Sequence, residues 1–114
     1  MSNHQNLNNM LLLTYDLVQN DDNQLNTEIK NDLIDLGWRD DAIYWCKPSY
    51  THSNDSAPST TLWKPNGAAR EGVDAFEAVC TAYTTRHVRK NLRAKGKAIC
   101  VRFSEDDKAL LKLD

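Results

Sequence analysis

The chain is poor in the residues that bend or staple a backbone: 114 residues contain four Gly, three Pro and three Cys. So little Gly and Pro excludes collagen-like and low-complexity classes, and leaves a folded domain as the expectation. Cys46, Cys80 and Cys100 are odd in number and widely spaced, with no Cys-x-x-Cys pair. A zinc knuckle and a thioredoxin-like redox site are therefore excluded, and the apolar neighbours of each Cys read as surroundings of inert buried thiols. Histidine is scarce too. His4 stands in a polar tail, His52 in a polar stretch and His87 in a basic run, and no two share a metal-ligand spacing. No Ser or Cys is marked as a nucleophile by its neighbours. No apolar run approaches the roughly 20 residues of a membrane span. Residues Ser2-Asn3-His4-Gln5-Asn6 lack the basic and apolar regions of a signal peptide, so a cytoplasmic protein without a membrane partner is expected.

What is present is an uneven distribution of charge. The formal net charge is only −2. Asp16, Asp21, Asp22, Glu28, Asp32, Asp35, Asp40 and Asp41 crowd one stretch against Lys30 and Arg39 alone, whereas Arg86, Arg89, Lys90, Arg93, Lys95 and Lys97 follow one another with no acid between them. Cations near a helix C-terminus complement its dipole without any partner. An acid-free basic segment is equally the footprint of a protein that contacts nucleic-acid phosphates. Both readings stand at this stage, with those six cations as the candidate nucleic-acid contacts.

The periodicity orders the elements. Residues 1–9 read as a flexible polar tail, residues 10–103 as the domain, and residues 104–114 as an extension suited to dimerisation. A first strand runs from Met10 to about Val18, its large apolar run marking a buried central position. Leu25, Ile29, Leu33 and Leu36 form one helical face, with Asp22 and Asn23 as candidate caps and Gly37 as the stop. Aromatic-rich Ala42–Lys47 reads as a second strand, and Ser59–Lys64, closed by Pro65-Asn66-Gly67, as a third. From about Gly72 a second helix places Val73, Phe76, Val79, Cys80 and Tyr83 on one face and continues into the basic run. Lys97–Phe103 alternates as a fourth strand, and Leu110, Leu111 and Leu113 follow in a short helix or added strand. The order predicts an α+β, ferredoxin-like β-α-β-β-α-β sandwich, two helices covering one face of a four-stranded antiparallel sheet.

Asp16 ends the first strand. A carboxylate there can begin an Asx-type turn or hold a divalent cation. Leu12-Leu13-Thr14-Tyr15-Asp16-Leu17, opening such a fold, resembles the small CRISPR-associated endoribonuclease-like proteins and virulence-associated protein D, in which a first strand ends in Tyr-Asp. The helix after Asp16 departs from that pattern in being acidic, as does Tyr44–Ser49 at the second strand. The resemblance implies that Asp16 is a catalytic metal ligand facing its twin across a homodimer, with Mg²⁺ the cation. Apolar residues on both sides of the first strand, and the leucines of the tail, also point to a homodimer.

Three functions of different classes follow. The favoured expectation is a nucleic-acid-associated binding or scaffold homodimer, for RNA or DNA, acting through the basic run. The alternatives are a Mg²⁺-dependent endonuclease centred on Asp16, and a protein-interaction module of a toxin-antitoxin or phage-defence system using Tyr44, Trp45 and Trp63.

Overall fold

A computed structural model describes residues 9–41 and 60–104. Strand β1 (Asn9–Leu17) lies between β2 (Thr61–Pro65) and β3 (Gly96–Ser104), antiparallel to both. Because side chains alternate across a strand, Leu11, Leu13 and Tyr15 enter one side of the sheet while Leu12, Thr14 and Asp16 face the other. Leu62 of β2 and Ala98 and Cys100 of β3 pair in register with the first set and share its face.

Helices α1 (Leu25–Asp35) and α2 (Arg70–Arg86) cover that face. Leu25, Ile29 and Leu33 of α1 meet Phe76, Val79, Cys80 and Tyr83 of α2 over the three strands, and Trp38 seals the margin. All of these are buried. Helix α1 stops at a Schellman motif: the N–H of Gly37 donates to the Ile34 carbonyl at 2.9 Å and that of Trp38 to Leu33 at 3.1 Å. Gly37 sits at φ +104°, which only glycine adopts without strain, and Leu33 and Trp38 join the core beside it.

The expected four-stranded ferredoxin-like sandwich is not what forms. The described residues make a three-stranded antiparallel sheet with two helices, in the order β-α-β-α-β. Among the described residues, one isolated bridge, Arg39 to Trp63, lies beyond β2. Ala42–Lys47, expected as the second strand, lies outside the described residues, as do residues 1–8 and 105–114 of the two tails. The second helix also differs from expectation. It ends at Arg86 instead of running through the basic segment, which folds into a 3₁₀ turn, Val88–Lys90, and a left-handed Asn91. Among the described residues no helix is long and apolar enough to cross a membrane.

The side of the sheet away from α1 and α2 carries a second set of side chains in matched rows, most of them apolar. Trp63, Leu12 and Val101 form one row, Met10 and Phe103 the next, and Thr14 with Ile99 a third. Trp63 and Met10 are buried, whereas Ile99 and Val101 are exposed.

Candidate functional site

Two connections, from β1 to α1 and from α2 to β3, meet at one end of the sheet, and the sequence supplies their cross-links. Asn20 is the hinge pin. Its side-chain amide donates to the Arg93 carbonyl at 3.1 Å and to the Tyr83 hydroxyl at 3.3 Å, while its oxygen accepts the Asp22 N–H at 2.8 Å. Val18 N–H donates to the Lys95 carbonyl at 2.7 Å, and Ala94 N–H to Thr84 Oγ1 at 3.0 Å. Within the turn, Lys90 and Leu92 both donate to the His87 carbonyl. The backbone of the basic segment is thus fastened to α2 on one side and to the β1–α1 connection on the other.

Its side chains divide into two groups. Arg86, grouped by sequence with the nucleic-acid contacts, turns to α1, where it bonds Glu28 Oε2 at 2.7 Å and Asp32 Oδ2 at 2.9 Å. Arg89, Lys90, Arg93, Lys95 and Lys97 are exposed. Arg93 and Lys95 border a cleft of about 380 Å³ with Gln19, Asn20 and Asn91. Lys95 and Lys97 border a second groove, of about 620 Å³, between α2 and the start of β3.

On the other flank of the turn, a cleft of about 480 Å³ is lined by Asp22, Glu28, His87 and Lys90, among others. One potential ligand atom from each of Asp22, Glu28 and His87 lies within 4.8 Å of the others. Tyr83 donates its hydroxyl proton to Asp22 Oδ2 at 2.6 Å, and Gln24 N–H donates to Asp22 Oδ1 at 2.9 Å. Those two bonds, the Tyr83 one foremost, hold the Asp22 carboxyl below its ordinary range. Burial alone would raise the Glu28 carboxyl. Hydrogen bonds from Arg86 and from His87 Nε2, 2.9 Å away, outweigh it and leave Glu28 lowered. The Tyr83 ring lies 4.3 Å from that of His87, centroid to centroid.

Asp16 stands apart from this cluster. It is exposed at the end of β1, opposite Lys97 on β3, beside a shallow pocket of about 130 Å³. Among the described residues, no His, Cys or second acid joins it in a metal-sized group. Trp63, expected at an interface, is buried, with its indole N–H donating to the Asp41 carbonyl at 2.7 Å and Arg39 stacked 4.4 Å from its ring. Tyr44 and Trp45 lie outside the described residues. Burial pushes the thiol of buried Cys80 up to about 11 and also raises that of half-buried Cys100.

Sequence reasoning treated Asp22 as a cap, Glu28 as part of an acidic helix and His87 as one of the basic run. The Glu28–His87 contact spans 59 positions. Only the periodicity that packs α1 against α2 could have hinted at it, since Glu28 precedes buried Ile29 and His87 follows buried Tyr83 by one turn.

No family model, curated protein or solved structure matches this chain, so nothing identifies the family that the Tyr15-Asp16 motif resembles.

Proposed function

We propose that the chain is a cytoplasmic nucleic-acid-binding or scaffold protein that grips the phosphate backbone through the segment from Arg89 to Lys97. One observation carries this reading: these five cations are exposed, follow one another on an anchored backbone and form no salt bridge among the described residues, whereas Lys30, Arg39, Arg70 and Arg86 are each ion-paired and the other described cations without a salt bridge, Lys64 and Arg102, stand singly on strands. Cations already committed to carboxylates have little left for a phosphate. Unpaired cations on a fastened backbone leave only their side chains to be ordered on binding. Lys90 also faces Asp22 across the 480 Å³ cleft, so Arg89, Arg93, Lys95 and Lys97 are the stronger contacts. The reading takes the protein as a homodimer built on the face of the sheet away from the helices, where Ile99 and Val101 of β3 are exposed.

The test is fluorescence anisotropy with labelled RNA and DNA over a range of salt, with and without Mg²⁺. Affinity is expected to fall steeply with salt. Replacing Arg89, Arg93 and Lys95 together by Ala should weaken binding about equally for different sequences and flatten the log–log salt slope by about 0.7–0.9 per lost phosphate contact. Unchanged affinity in the triple variant, or no binding by the parent at low salt, would overturn the proposal. Mg²⁺-dependent loss of the labelled strand that disappears in Asp16→Asn would instead favour the endonuclease alternative.

A further inference from the structure

We infer that Asp22, Glu28 and His87 form a site for a first-row transition dication, Zn²⁺ foremost, on the flank of the turn away from the Arg93–Lys95 cleft. This inference is independent of nucleic-acid binding. The donor set is one imidazole nitrogen and two carboxylates, from three separate elements: the β1–α1 connection, α1 and the end of α2. Imidazole favours Zn²⁺ and its neighbours, while Mg²⁺ and Ca²⁺ prefer an all-oxygen shell.

The spacing is near what a shared ion needs. Ligand atoms on a tetrahedral Zn²⁺ with bonds of about 2.1 Å stand roughly 3.4 Å apart, so three donors within 4.8 Å must close by at most about 1.4 Å, within reach of side-chain rotations. All three side chains are half-buried and border an open cleft, which leaves room for a water as fourth ligand.

A second layer of contacts positions the two carboxylates, as in built metal sites, and Tyr83 also packs on the imidazole. Asp22 is held by the Tyr83 hydroxyl and the Gln24 N–H. Glu28 is held through Oε2 by Arg86, which leaves Oε1 as the free donor. His87 is packed on the Tyr83 ring and has its Nε2 directed at Glu28. An ion entering here takes the place of the His87–Glu28 hydrogen bond and binds the neutral imidazole, so a proton leaves His87 if it carries two. The Arg86 and Lys90 charges oppose the cation, and the Asp22 and Glu28 carboxylates offset them.

Full-length protein stripped with a chelator is titrated with Zn²⁺ by calorimetry, and with Co²⁺ by visible absorption. Saturable binding of one ion per chain is expected, with the stronger d–d bands of a low-coordinate Co²⁺ centre. His87→Gln and Glu28→Gln should each weaken binding by at least about tenfold, while Asp16→Asn leaves it unchanged. In the unmodified protein, NMR should show the His87 ring signals shifting with Zn²⁺, a readout that stands even if a variant fails to fold. No saturable binding at micromolar Zn²⁺, binding indifferent to both variants, loss of binding in Asp16→Asn, or His87 signals that do not move would each overturn the site.

Discussion

Gly72 lies inside α2, where alanine is ordinarily the better helix former by about 0.5–1 kcal/mol. Here the usual gain is reversed. A Cβ at Gly72 would collide with the Cβ and Sγ of Cys100 and crowd Trp38, and overpacking of this kind costs about 1–3 kcal/mol. Gly72→Ala is therefore expected to lower the urea midpoint despite its helix propensity. Gly96→Ala should lower it further, because its Cβ meets the backbone carbonyl of Asp16, which can give way only by disturbing the β1–β3 ladder. Glu28 supplies a prediction in pH. Its carboxyl is lowered in the folded state, so its contribution is fully present above the unfolded value of about 4.3 and is lost as pH falls through the lower folded value. Asp22 has the same sign. Thermal melts should show stability falling below about pH 5. Glu28→Gln should make that fall shallower while costing no more than about 1 kcal/mol at pH 7, since the pair is partly exposed. An acid dependence identical to the parent's would show that the Arg86 and His87 bonds contribute nothing.

At the level of elements, what the sequence disclosed was what depends on near neighbours. Leu25, Ile29 and Leu33 announce α1 by their spacing, and Gly37 ends it because the motif is local in the chain. The alternation of Ile99 and Val101 with Ala98 and Cys100 marks β3 in the same way. What stayed hidden depends on distant partners. Helix α2 stops at Arg86 through contacts the spacing does not encode, namely the Glu28 and Asp32 carboxylates and the Thr84 and Asn20 bonds that pull the next residues aside. The metal-sized trio was illegible for that reason, whereas the exposure of Arg89 to Lys97 was readable as a charge pattern. Gly37→Ala should cost about 1 kcal/mol, because a Cβ there meets the Lys64 side chain at ordinary contact distance and only the positive φ resists it. A larger loss in chemical denaturation would mean that the Schellman turn does more than end α1.

For the whole molecule, the sheet has one face packed by helices and another with two apolar rows, around Met10 and Leu12, and a third in which Ile99 lies beside Thr14 and Thr61. Exposed Ile99 and Val101 sit in β3, at one end of the strand order, so a second copy laid on this face would bury both. Light scattering at about 10–100 μM should give twice the monomer mass, and Ile99→Lys combined with Val101→Lys should return it to one. A monomeric parent at that concentration would remove the dimer from the proposal. The four-stranded expectation failed at this scale because strand number depends on which segments find a ladder, and among the described residues beyond β2 only Arg39 and Trp63 make a bridge.

The central place of β1 also sets an order of events. Its neighbours are β2 and β3, both later in the chain, and β3 begins only at Gly96. At about 5–20 residues per second, a ribosome takes several seconds to pass from Leu17 to Gly96. Throughout that interval Met10, Leu11, Leu12 and Leu13, the greasiest stretch of the sheet, have no finished ladder to enter. The newborn chain is therefore most vulnerable to self-association before its last described strand emerges, and its yield in a cell should respond to translation speed and chaperone supply more than the stability of the finished fold would suggest.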